Sequence, residues 1–511
     1  MPTTIDSVLR WWGREKPDQV ALSQSGDGVT YAELNDWVGR VASRFADAGL
    51  HRGNRMCIYS VNRMEWAVAA LATLRVGGVL AGINSKMVPD EVAYLLGDYA
   101  PVLLVADADG AAKYGQIGAL ISRTGEGISS PALIGIEDIA GLRRGEPRDV
   151  QVDVDPDAPA VIVTTSGSTA RPKGVMYSNH SVIDHVSAFV MEDPLNTQPA
   201  TMLIVAPFNT SAGGMLLLHI LLQGGTGFFE SEFDPARALK TIEDNQVAIF
   251  CGAPIFLQRI AECPRFAEAD ISCVKISYTG GAAVPTKLLQ AWADKGVIVR
   301  QMYGQTETGG WGVTNPRRYA LSDPDRCGYG GPTRDIAIVD ADGKALPPGE
   351  QGQILLRGPG TMLGYWNDPA ATAATLKDGW LHTGDIGVVD ERGLLKFVDR
   401  AKDIIISGGL NISAAEVERV IMEFSGVEEV AVLAVPDEKF GETPFAVVHG
   451  RDTLDVASLV QHCNARLSSY KVPRYVVVSG EPLPRLATGK ISKPALRIQH
   501  LTDRELPARV R

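Results

Sequence analysis

The sequence predicts an α/β protein whose large N-terminal part is built on mostly parallel β-sheet. Helical and strand signals alternate over the first half of the chain, and this pattern is typical of parallel strands with helices on both faces. After about residue 320 the strand signals become short and the turn sequences frequent, which indicates a small antiparallel barrel or meander. From Arg400 onward helical and strand patterns mix again, as expected of a small α+β part.

The elements of the first half follow in order. Thr30 and Glu33 have the spacing of a capping box, so an amphipathic helix is expected from there to Leu50. Short apolar runs rich in β-branched residues then alternate with segments of helical periodicity. The predicted strands cover 56–61, 79–83, 102–106, 160–163, 247–251 and 274–278, and the predicted helices cover 65–75 and 90–99.

The second half is divided by its turns and by one charged segment. Turn sequences begin at Asp340, Pro347 and Asp390, which supports the antiparallel interpretation of this region. The charged segment Arg-Ala-Lys-Asp at 400–403 is interpreted as a linker or hinge. Beyond it, helices are predicted over 414–424 and 456–467, with a strand over 427–435. We therefore expect an N-terminal domain over 1–399, with its barrel-like part at about 320–399, and a C-terminal domain over 400–511.

Composition limits the class of protein. Hydrophobic residues make up 45% of the 511 residues, which excludes a disordered chain. The 49 Lys and Arg against 60 Asp and Glu give a net charge of −11, which disfavours extended nucleic-acid binding. The six cysteines form no Cys-x-x-Cys pair and are expected to be free thiols in a reducing compartment. With no signal peptide and no apolar run long enough to span a bilayer, a cytoplasmic protein is expected.

The strongest local signal is the loop at 164–174, Thr-Thr-Ser-Gly-Ser-Thr-Ala-Arg-Pro-Lys-Gly, which follows a predicted strand. Small residues expose backbone N–H groups, hydroxyls add donors and Lys173 adds charge, so the loop suits a polyphosphate. It is not a Walker A loop, because Pro172 stands where that motif needs its second glycine. A plain surface turn is the alternative.

A second signal joins two segments, Tyr-Thr-Gly-Gly-Ala-Ala at 278–283 and Gln-Met-Tyr-Gly-Gln-Thr-Glu-Thr at 301–308. Paired glycines at a strand end allow the close approach of a flat ring, on which Tyr303 could stack. Glu307 could hold a magnesium ion. Taken alone, a Tyr-Gly sequence is usually only a turn, and an isolated glutamate such as Glu307 is more often a solvated carboxylate.

Two further signals lie in the second half. Asp385 ends the segment Asp-Gly-Trp-Leu-His-Thr-Gly-Asp and could accept both hydroxyls of a ribose, although a turn-capping role is the simpler alternative. Lys490 lies in Leu-Ala-Thr-Gly-Lys-Ile-Ser-Lys near the C-terminus and could reach into a site from a loop. Most isolated lysines face solvent, so neither residue decides a function alone.

Taken together, these segments resemble the adenylate-forming (ANL) superfamily, which includes acyl-CoA synthetases, aryl-CoA ligases, firefly-type luciferases and the adenylation domains of peptide synthetases. The order and wording of five motifs match over essentially the whole chain. The matching segments are 165–174, 303–307, 380–385, 399–412 and 484–490. The resemblance implies stacked α/β sheets, a small β-barrel and a mobile C-terminal domain.

The resemblance also implies a reaction and its residues. A carboxylic acid attacks the α-phosphate of ATP, pyrophosphate leaves, and the acyl-adenylate passes to the thiol of coenzyme A. Lys490 would bridge the carboxylate and the phosphate, and Lys402 would be the hinge about which the C-terminal domain rotates. The β- and γ-phosphates would be bound by Thr165, Ser166, Gly167, Ser168, Thr169 and Lys173, the α-phosphate by Thr306 and Mg²⁺ by Glu307. The adenine would be contacted by Gly280, Gly281, Ala282, Tyr303 and Gly304, and the ribose by Asp385 and Arg400. The pantetheine arm of coenzyme A would pass beside Gly408 and Gly409.

The expected acid pocket is apolar or small-walled. Its proposed lining is Phe208, Asn209, Thr210, Gly281 and Trp311. No acidic residue stands at 208–211 to pair with an α-ammonium group, which disfavours an amino acid and favours a hydrophobic monocarboxylate, whether aryl, alicyclic or aliphatic.

The chain also departs from the family pattern at two places. Ala170 stands where the family usually has glycine, which puts the mobility of the phosphate loop in question. Thr210 takes the slot in which many acyl-CoA synthetases have a histidine, so the role of that histidine is performed differently here or not at all. An equal alternative is that the replacement is neutral, because hydroxyl side chains commonly cap turns. An acid–CoA ligase is the first hypothesis. A synthetase that hands the acyl group to a carrier-protein thiol, a non-catalytic nucleotide-binding relative and, more remotely, a kinase are the alternatives, and a homodimer stays open.

Overall fold

The structure is a computed structural model that describes residues 3–121, 130–165, 172–193, 200–282, 284–408, 410–450, 454–486, 490–502 and 506–510. Contacts divide the chain into two compact units. The first comprises Met1–Ile336 and Leu356–Leu381, and the second comprises Ala337–Leu355 and His382–Arg511. The predicted boundary at 399/400 separates a fixed domain from one that is expected to move, whereas the two units are separated by their internal contacts. The boundary at 399/400 stays a prediction.

Fifteen helices occur in the described part of the chain. They are α1 (Ile5–Glu15), α2 (Tyr31–Asp47), α3 (Met64–Arg75), α4 (Pro89–Tyr99), α5 (Ala108–Ile121), α6 (Ile136–Gly141), α7 (Asn179–Glu192), α8 (Ser211–Leu222), α9 (Pro235–Asp244), α10 (Pro254–Ala261), α11 (Thr286–Ala293), α12 (Pro369–Thr375), α13 (Ala414–Met422), α14 (Val456–Asn464) and α15 (Lys493–Leu501). Short 3₁₀ helices cover Pro264–Ala267, Thr306–Thr308, Arg317–Tyr319, Ala401–Asp403 and Ser469–Lys471.

The strands of the described residues number twenty-five. They are β1 (Val20–Gln24), β2 (Asp27–Thr30), β3 (Arg55–Tyr59), β4 (Val79–Ile83), β5 (Leu103–Ala106), β6 (Ala132–Gly135), β7 (Pro159–Thr165), β8 (Lys173–Ser178), β9 (Thr201–Ile204), β10 (Thr226–Phe229), β11 (Ile249–Gly252), β12 (Ile276–Gly280), β13 (Val299–Tyr303), β14 (Val313–Thr314), β15 (Asp335–Val339), β16 (Gly352–Arg357), β17 (Gly364–Tyr365), β18 (Leu376–Lys377), β19 (Trp380–Val389), β20 (Leu395–Arg400), β21 (Ile404–Ser407), β22 (Leu410–Ser413), β23 (Val427–Asp437), β24 (Gly441–Gly450) and β25 (Tyr475–Ser479).

Two large sheets form the first unit. An eight-stranded sheet has the order β14-β13-β12-β11-β9-β10-β1-β2, and a seven-stranded sheet has the order β17-β8-β7-β4-β3-β5-β6. The inner strands of both run parallel, and the antiparallel pairs lie at the ends, at β14 and β2 in one sheet and at β8 and β17 in the other. This arrangement confirms the mixed α/β fold with mostly parallel sheet.

One hydrophobic core joins the two sheets of the first unit. It contains apolar side chains from β9 and β10, from β3 and β7, and from helices α2, α3 and α8 that pack with them. Its fully buried members include Trp37, Phe45 and Phe229. Side chains of both sheets therefore contribute to the same core.

The sheet strands between about residues 335 and 400 pair antiparallel, as the turn pattern predicts. One sheet has the order β15-β16-β19-β18, with β20 paired to β19. In the second unit, β22-β21-β24-β23 forms another sheet, to whose strand β24 the strand β25 pairs in parallel. The apolar faces of β23 and β24 are covered by α13 and α14 on one side and α15 on the other.

Most of the predicted elements occur within one or two residues of their expected positions. The capping box of α2 is present, since the Thr30 hydroxyl accepts from the Glu33 N–H and the Glu33 carboxylate from the Thr30 N–H. The predicted strand over 79–83 coincides with β4, whereas that over 274–278 is displaced to Ile276–Gly280. The helix predicted to reach 467 ends at Asn464.

Candidate active site

The motif residues of the first unit follow the carboxyl ends of parallel strands. Thr165 ends β7, Gly280 ends β12 and Tyr303 ends β13. In open α/β sheets, ligands bind in the crevice outside these ends. The sheet topology therefore places the predicted phosphate, adenine and magnesium segments where a ligand is expected.

Gly280 and Tyr303 lie on neighbouring strands. In the parallel pair β12–β13, Gly280 is the partner of Met302, the residue before Tyr303. A Cβ atom on Gly280 would lie 2.7 Å from the Met302 side chain and 2.8 Å from its carbonyl oxygen. Glycine is therefore required for this close approach, and the two predicted adenine contacts are neighbours. Gly281 and Ala282 follow as exposed residues.

Gly304 continues this close packing. A Cβ atom there would lie 2.6 Å from the backbone nitrogen of Gly312 and 2.9 Å from the Cα atom of Trp311. The Gly312 N–H also donates to the Tyr303 carbonyl, at 3.0 Å. The segment from Tyr303 to Gly312 is thus a compact loop with Tyr303 buried at its start.

Thr306 and Glu307 form a short 3₁₀ helix within that loop. The Thr306 carbonyl accepts a hydrogen bond from the buried Tyr177 hydroxyl. The Glu307 carboxylate accepts one from the Tyr365 hydroxyl, at 2.7 Å, and its carbonyl accepts from the Met362 N–H, at 2.9 Å. Backbone and carboxylate of Glu307 are therefore both held by the segment that contains β17.

Lys173 begins β8, and its register partner in the antiparallel pair with β7 is Thr165. Its ammonium lies 3.2 Å from the Asp368 carboxylate and 4.9 Å from the centre of the Tyr365 ring. Tyr177, Tyr365 and Asp368 are site neighbours that the sequence analysis missed. Only Asp368 left a local signal, as the residue before Pro369 at the start of α12, and that signal indicates a helix cap rather than an ion pair.

Several predicted positions lie outside the described residues. They are Ser166, Gly167, Ser168, Thr169, Ala170, Ala283, Gly409 and Gly489.

The predicted acid-pocket residues occupy different surroundings. Phe208 is buried between Trp66 and Phe229, with ring centres 5.4 and 4.9 Å away. Together with Asn209 it lines a small internal cavity of about 20 Å³. Asn209 is half-buried.

Thr210 is the N-cap of α8. Its hydroxyl accepts from the Gly213 N–H at 3.1 Å and donates to the Pro207 carbonyl at 2.7 Å. The residue in the histidine slot of the family pattern therefore stabilises a helix start, in agreement with the capping alternative.

Trp311 is buried near the end of the Tyr303–Gly312 loop. Its ring packs edge-on against Phe189 and His185, at 4.3 and 5.6 Å between centres. Its indole N–H donates to the Thr314 hydroxyl. The guanidinium of Arg334 lies 4.6 Å from the ring centre and donates to the Trp311 carbonyl. These contacts fix the orientation of the indole.

The second unit brings the remaining charged residues together. Asp385 and Arg400 are register partners in the β19–β20 pair, and the Arg400 Nε atom lies 3.9 Å from a carboxylate oxygen of Asp385. Asp385 is buried, whereas Arg400 is exposed. Lys402 follows in the 3₁₀ helix Ala401–Asp403. Gly408 adopts a φ of +59°, and its N–H donates to the Phe440 carbonyl at 2.7 Å.

Two lysines of the second unit, Lys402 and Lys490, have lowered pKa values. The pKa of Lys490 is lowered, mainly because its ammonium is partly removed from water, although the residue as a whole is exposed. The positive charge of Arg400 lowers this pKa further, whereas the negative charge of Asp385 raises it. Desolvation followed by Arg400 lowers the pKa of Lys402 in the same direction. The Lys490 carbonyl accepts from the Leu486 N–H at 2.8 Å.

Comparison with known proteins decides the family. Residues 9–366 match the AMP-binding enzyme family, and residues 416–490 match the AMP-binding enzyme C-terminal domain. The chain belongs to this family. The resemblance to adenylate-forming enzymes drawn from the motifs is thereby confirmed.

Relatives of the AMP-binding enzyme family match over nearly the whole chain. Feruloyl-CoA synthase from Amycolatopsis sp is 34% identical over 486 residues, which cover 95% of this chain and 96% of the relative. Long-chain-fatty-acid–CoA ligase FadD13 from Mycobacterium tuberculosis is 32% identical, with 92% and 93% covered. The prediction of an AMP-forming acid–thiol ligase is confirmed by this family membership and these relatives.

Solved structures of the family agree. The o-succinylbenzoate CoA synthetase MenE of Bacillus subtilis, in complex with the acyl-adenylate intermediate OSB-AMP, matches with a TM-score of 0.86 and 28% identity, covering 98% of each chain. The same enzyme with ATP and a magnesium ion matches with a TM-score of 0.86 and 27% identity, covering 96% of this chain and 99% of that one. In the described part of this chain, no helix is both long and apolar enough to cross a membrane.

Proposed function

We propose that this protein uses ATP to convert a hydrophobic carboxylic acid into its acyl-adenylate and then passes the acyl group to coenzyme A, releasing pyrophosphate and AMP. The observation that carries the proposal is the placement of the motif residues. Gly280 and Tyr303 end adjacent parallel strands, Glu307 follows them, and the second unit groups Asp385, Arg400 and Lys490.

The first half-reaction must bring a carboxylate to a polyphosphate, so it requires neutralised charge and correct positioning rather than a covalent nucleophile. In this proposal, Thr165 and Lys173, with Ser166 to Thr169, bind the β- and γ-phosphates. Thr306 contacts the α-phosphate. Tyr303 packs on the adenine, with Gly280 to Ala282 and Gly304 at its edge.

The charged residues of the second unit complete the nucleotide contacts. Asp385 accepts the ribose hydroxyls and Arg400 supports it, because their side chains already lie 3.9 Å apart. Lys490 donates to both the incoming carboxylate and the α-phosphate, which lowers the repulsion between these two anions. The lowered pKa of its amine reflects a partly desolvated ammonium, and a cation interacts more strongly with anions where water is excluded.

Magnesium fits the donors that the chain offers. Among the described residues, no group of three or more His, Cys, Asp or Glu side chains is arranged to hold a metal ion. Mg²⁺ is commonly bound through one or two carboxylates together with substrate phosphates, and Glu307 supplies such a carboxylate. When bound, Mg²⁺ would neutralise phosphate charge. Glu307 would supply its protein ligand, held in orientation by the Tyr365 hydroxyl.

The second half-reaction needs Lys490 to leave and the thiol to enter. We propose rotation of residues 400–511 about Lys402, which lies in a 3₁₀ turn between β20 and β21. Gly408 and Gly409 would then line the path of the pantetheine arm. The positive φ of Gly408 disfavours any larger residue there.

The proposed acid is a hydrophobic monocarboxylate, with aryl acids as the first class to test. No carboxylate occurs at 208–211 to bind an α-ammonium group, and the described cavity beside Phe208 and Asn209 is lined mostly by apolar side chains. The matched relatives named above act on feruloyl, o-succinylbenzoyl and long-chain fatty acyl groups, and two of these three carry an aromatic ring.

The test is a panel of acids incubated with ATP, Mg²⁺ and coenzyme A. Ferulate, o-succinylbenzoate, indole-3-acetate and palmitate would be compared with phenylalanine as the amino-acid control. We expect AMP rather than ADP by chromatography, and a thioester by mass spectrometry with at least one aryl acid. ADP as product would contradict the proposal. ATP–pyrophosphate exchange without a CoA thioester would instead favour transfer to a carrier-protein thiol.

A further inference from the structure

A short segment of the first unit, residues 362–368, is bonded to two of the proposed nucleotide motifs at once. Its backbone N–H groups donate to the carbonyls of Gly174 and Met176 in β8, at 2.7 and 2.8 Å. Another donates to the carbonyl of Glu307, at 2.9 Å. The segment therefore ties the strand that begins at Lys173 to the turn that carries Glu307.

Tyr365 makes the corresponding side-chain connection. Its hydroxyl donates to the Glu307 carboxylate at 2.7 Å, and the Lys173 ammonium lies 4.9 Å from the centre of its ring. The ring and the hydroxyl of Tyr365 therefore face two different charged groups. One side chain thus contacts both the proposed metal ligand and the proposed phosphate ligand.

Asp368 supplies the counter-ion. Its carboxylate lies 3.2 Å from the Lys173 ammonium and also accepts the Ala371 N–H at 2.8 Å, as the N-cap of α12. The Ala371 N–H and then the Lys173 ammonium lower the pKa of Asp368, which keeps it ionised. In this structure, the charge of Lys173 is accordingly balanced by a carboxylate.

A nucleotide and Asp368 compete for the same ammonium. Phosphate oxygens that approach Lys173 also approach a carboxylate of like charge. Lys173 and Asp368 are both partly exposed, so each can re-solvate when the pair separates.

We propose that Asp368 is a counter-ion that competes with the nucleotide phosphates for Lys173, and that Tyr365 is a positioning residue for the proposed magnesium ligand. Asp368 holds Lys173 until the phosphates take over the ammonium, and Tyr365 orients the Glu307 carboxylate for magnesium. This inference rests on the proposed roles of Lys173 and Glu307 in binding ATP and Mg²⁺.

The first test replaces Asp368 by asparagine, which retains the helix cap and removes the charge. Calorimetry with Mg²⁺ and the α,β-methylene analogue of ATP should show about 3-fold tighter binding at low salt. The difference should disappear at about 1 M salt, where exposed charges are screened. The matched control is Asp234→Asn, since Asp234 caps α9 in the same way through the Arg237 N–H. Unchanged or weaker binding by Asp368→Asn would overturn the proposal.

The second test replaces Tyr365 by phenylalanine, which keeps the ring beside Lys173 and removes the hydroxyl. Binding of Mn²⁺ in the presence of the analogue, followed by electron paramagnetic resonance, should weaken about 10-fold because a charge-assisted hydrogen bond to the ligand is lost. Binding of the analogue without metal should stay at the wild-type value. Unchanged Mn²⁺ affinity would overturn the role of Tyr365.

Two more variants separate this inference from the function on which it rests. Lys173→Met and Glu307→Gln should weaken the binding of the analogue and of Mn²⁺, respectively. If Lys173→Met and Glu307→Gln weaken binding while Asp368→Asn and Tyr365→Phe do not behave as expected, only the roles proposed for Asp368 and Tyr365 are wrong. If neither Lys173→Met nor Glu307→Gln has an effect, the proposed phosphate and magnesium contacts are themselves wrong.

Discussion

The two units hold their functional residues in opposite ways. In the first unit, Gly280, Tyr303 and Glu307 lie at strand ends in fixed registers, and hydrogen bonds hold their loop on both sides. In the second unit, Arg400 ends strand β20 and Lys490 lies in a bend, and both are exposed cations near enough for Arg400 to lower the pKa of Lys490. The difference predicts a division of work, in which packed backbone would recognise the nucleotide and the exposed cations would act on the reacting groups.

The largest expected effect comes from removing the charge of Lys490. Lys490→Ala should lower ATP–pyrophosphate exchange about 1000-fold, because the cation between the two reacting anions is lost. Thioester formation from supplied acyl-adenylate should continue at the wild-type rate. Lys471→Ala, which removes an ammonium bound to Glu416 in the same unit, is the control. Equal loss of both half-reactions would contradict the role of Lys490.

The next effect tests the packed backbone of the first unit. In Gly304→Ala the new Cβ would lie 2.6 Å from the Gly312 nitrogen, so the loop would have to shift. Overpacking of this kind costs about 1–3 kcal/mol, and we expect calorimetry to show roughly 10- to 100-fold weaker binding of the ATP analogue. Gly115→Ala is the control, because nothing lies within 4 Å of a Cβ at that helical position. Wild-type affinity in Gly304→Ala would show that this close packing does not shape the site.

Acid should affect the interior of the first unit. Burial lowers the pKa of His219 to about 3, so the unfolded chain takes up a proton near pH 6.5 while the folded chain does not. Stability therefore falls as pH decreases from about 6.5 towards 3, by about 2 kcal/mol at pH 5 for this residue. In urea unfolding at pH 7 and pH 5, His219→Leu should lose this share of the pH dependence. The exposed His51, replaced by Gln, serves as the control; an unchanged pH dependence in His219→Leu would refute the assignment.

Raising the pH should instead affect the exchange activity, through Lys490 in the second unit, and this is the smallest expected change. If the protonated Lys490 is the active form, exchange activity declines as pH rises through its lowered pKa. Arg400→Gln removes a like charge and should move this decline to higher pH, whereas Asp385→Asn should move it to lower pH. Shifts of the same sign in both variants would show that these side chains do not act on the amine through their charge.

Local patterns predicted much of the framework. The alternation of strand and helix signals identified the parallel sheets, and the Thr30–Glu33 spacing identified the start of α2. These features depend on residues close together in the chain. For the same reason, the position of Gly280 at a strand end could be expected from sequence, whereas strand β13, which ends at Tyr303, was not among the predicted strands.

Contacts between distant parts of the chain were not predictable in this way. Gly364–Tyr365 pairs with β8 almost 190 residues earlier, and no local pattern encodes that partner. The contacts of Tyr365 with Lys173 and Glu307 depend on this pairing, so they emerge only in three dimensions. The hydrogen bonds of the Thr210 hydroxyl show that it caps α8, and whether its presence in the histidine slot is neutral stays a prediction.

The antiparallel pair β7–β8 has a consequence for the solution conditions under which the nucleotide binds. Lys173 begins a strand rather than a helix, so the phosphate segment is not followed by a helix N-terminus whose dipole would attract anions. Attraction at this position depends more on a single partly exposed ammonium, and such an interaction weakens as ions screen it. Raising the ionic strength should therefore weaken the binding of ATP, whereas apolar contacts with the hydrophobic part of the acid should change less.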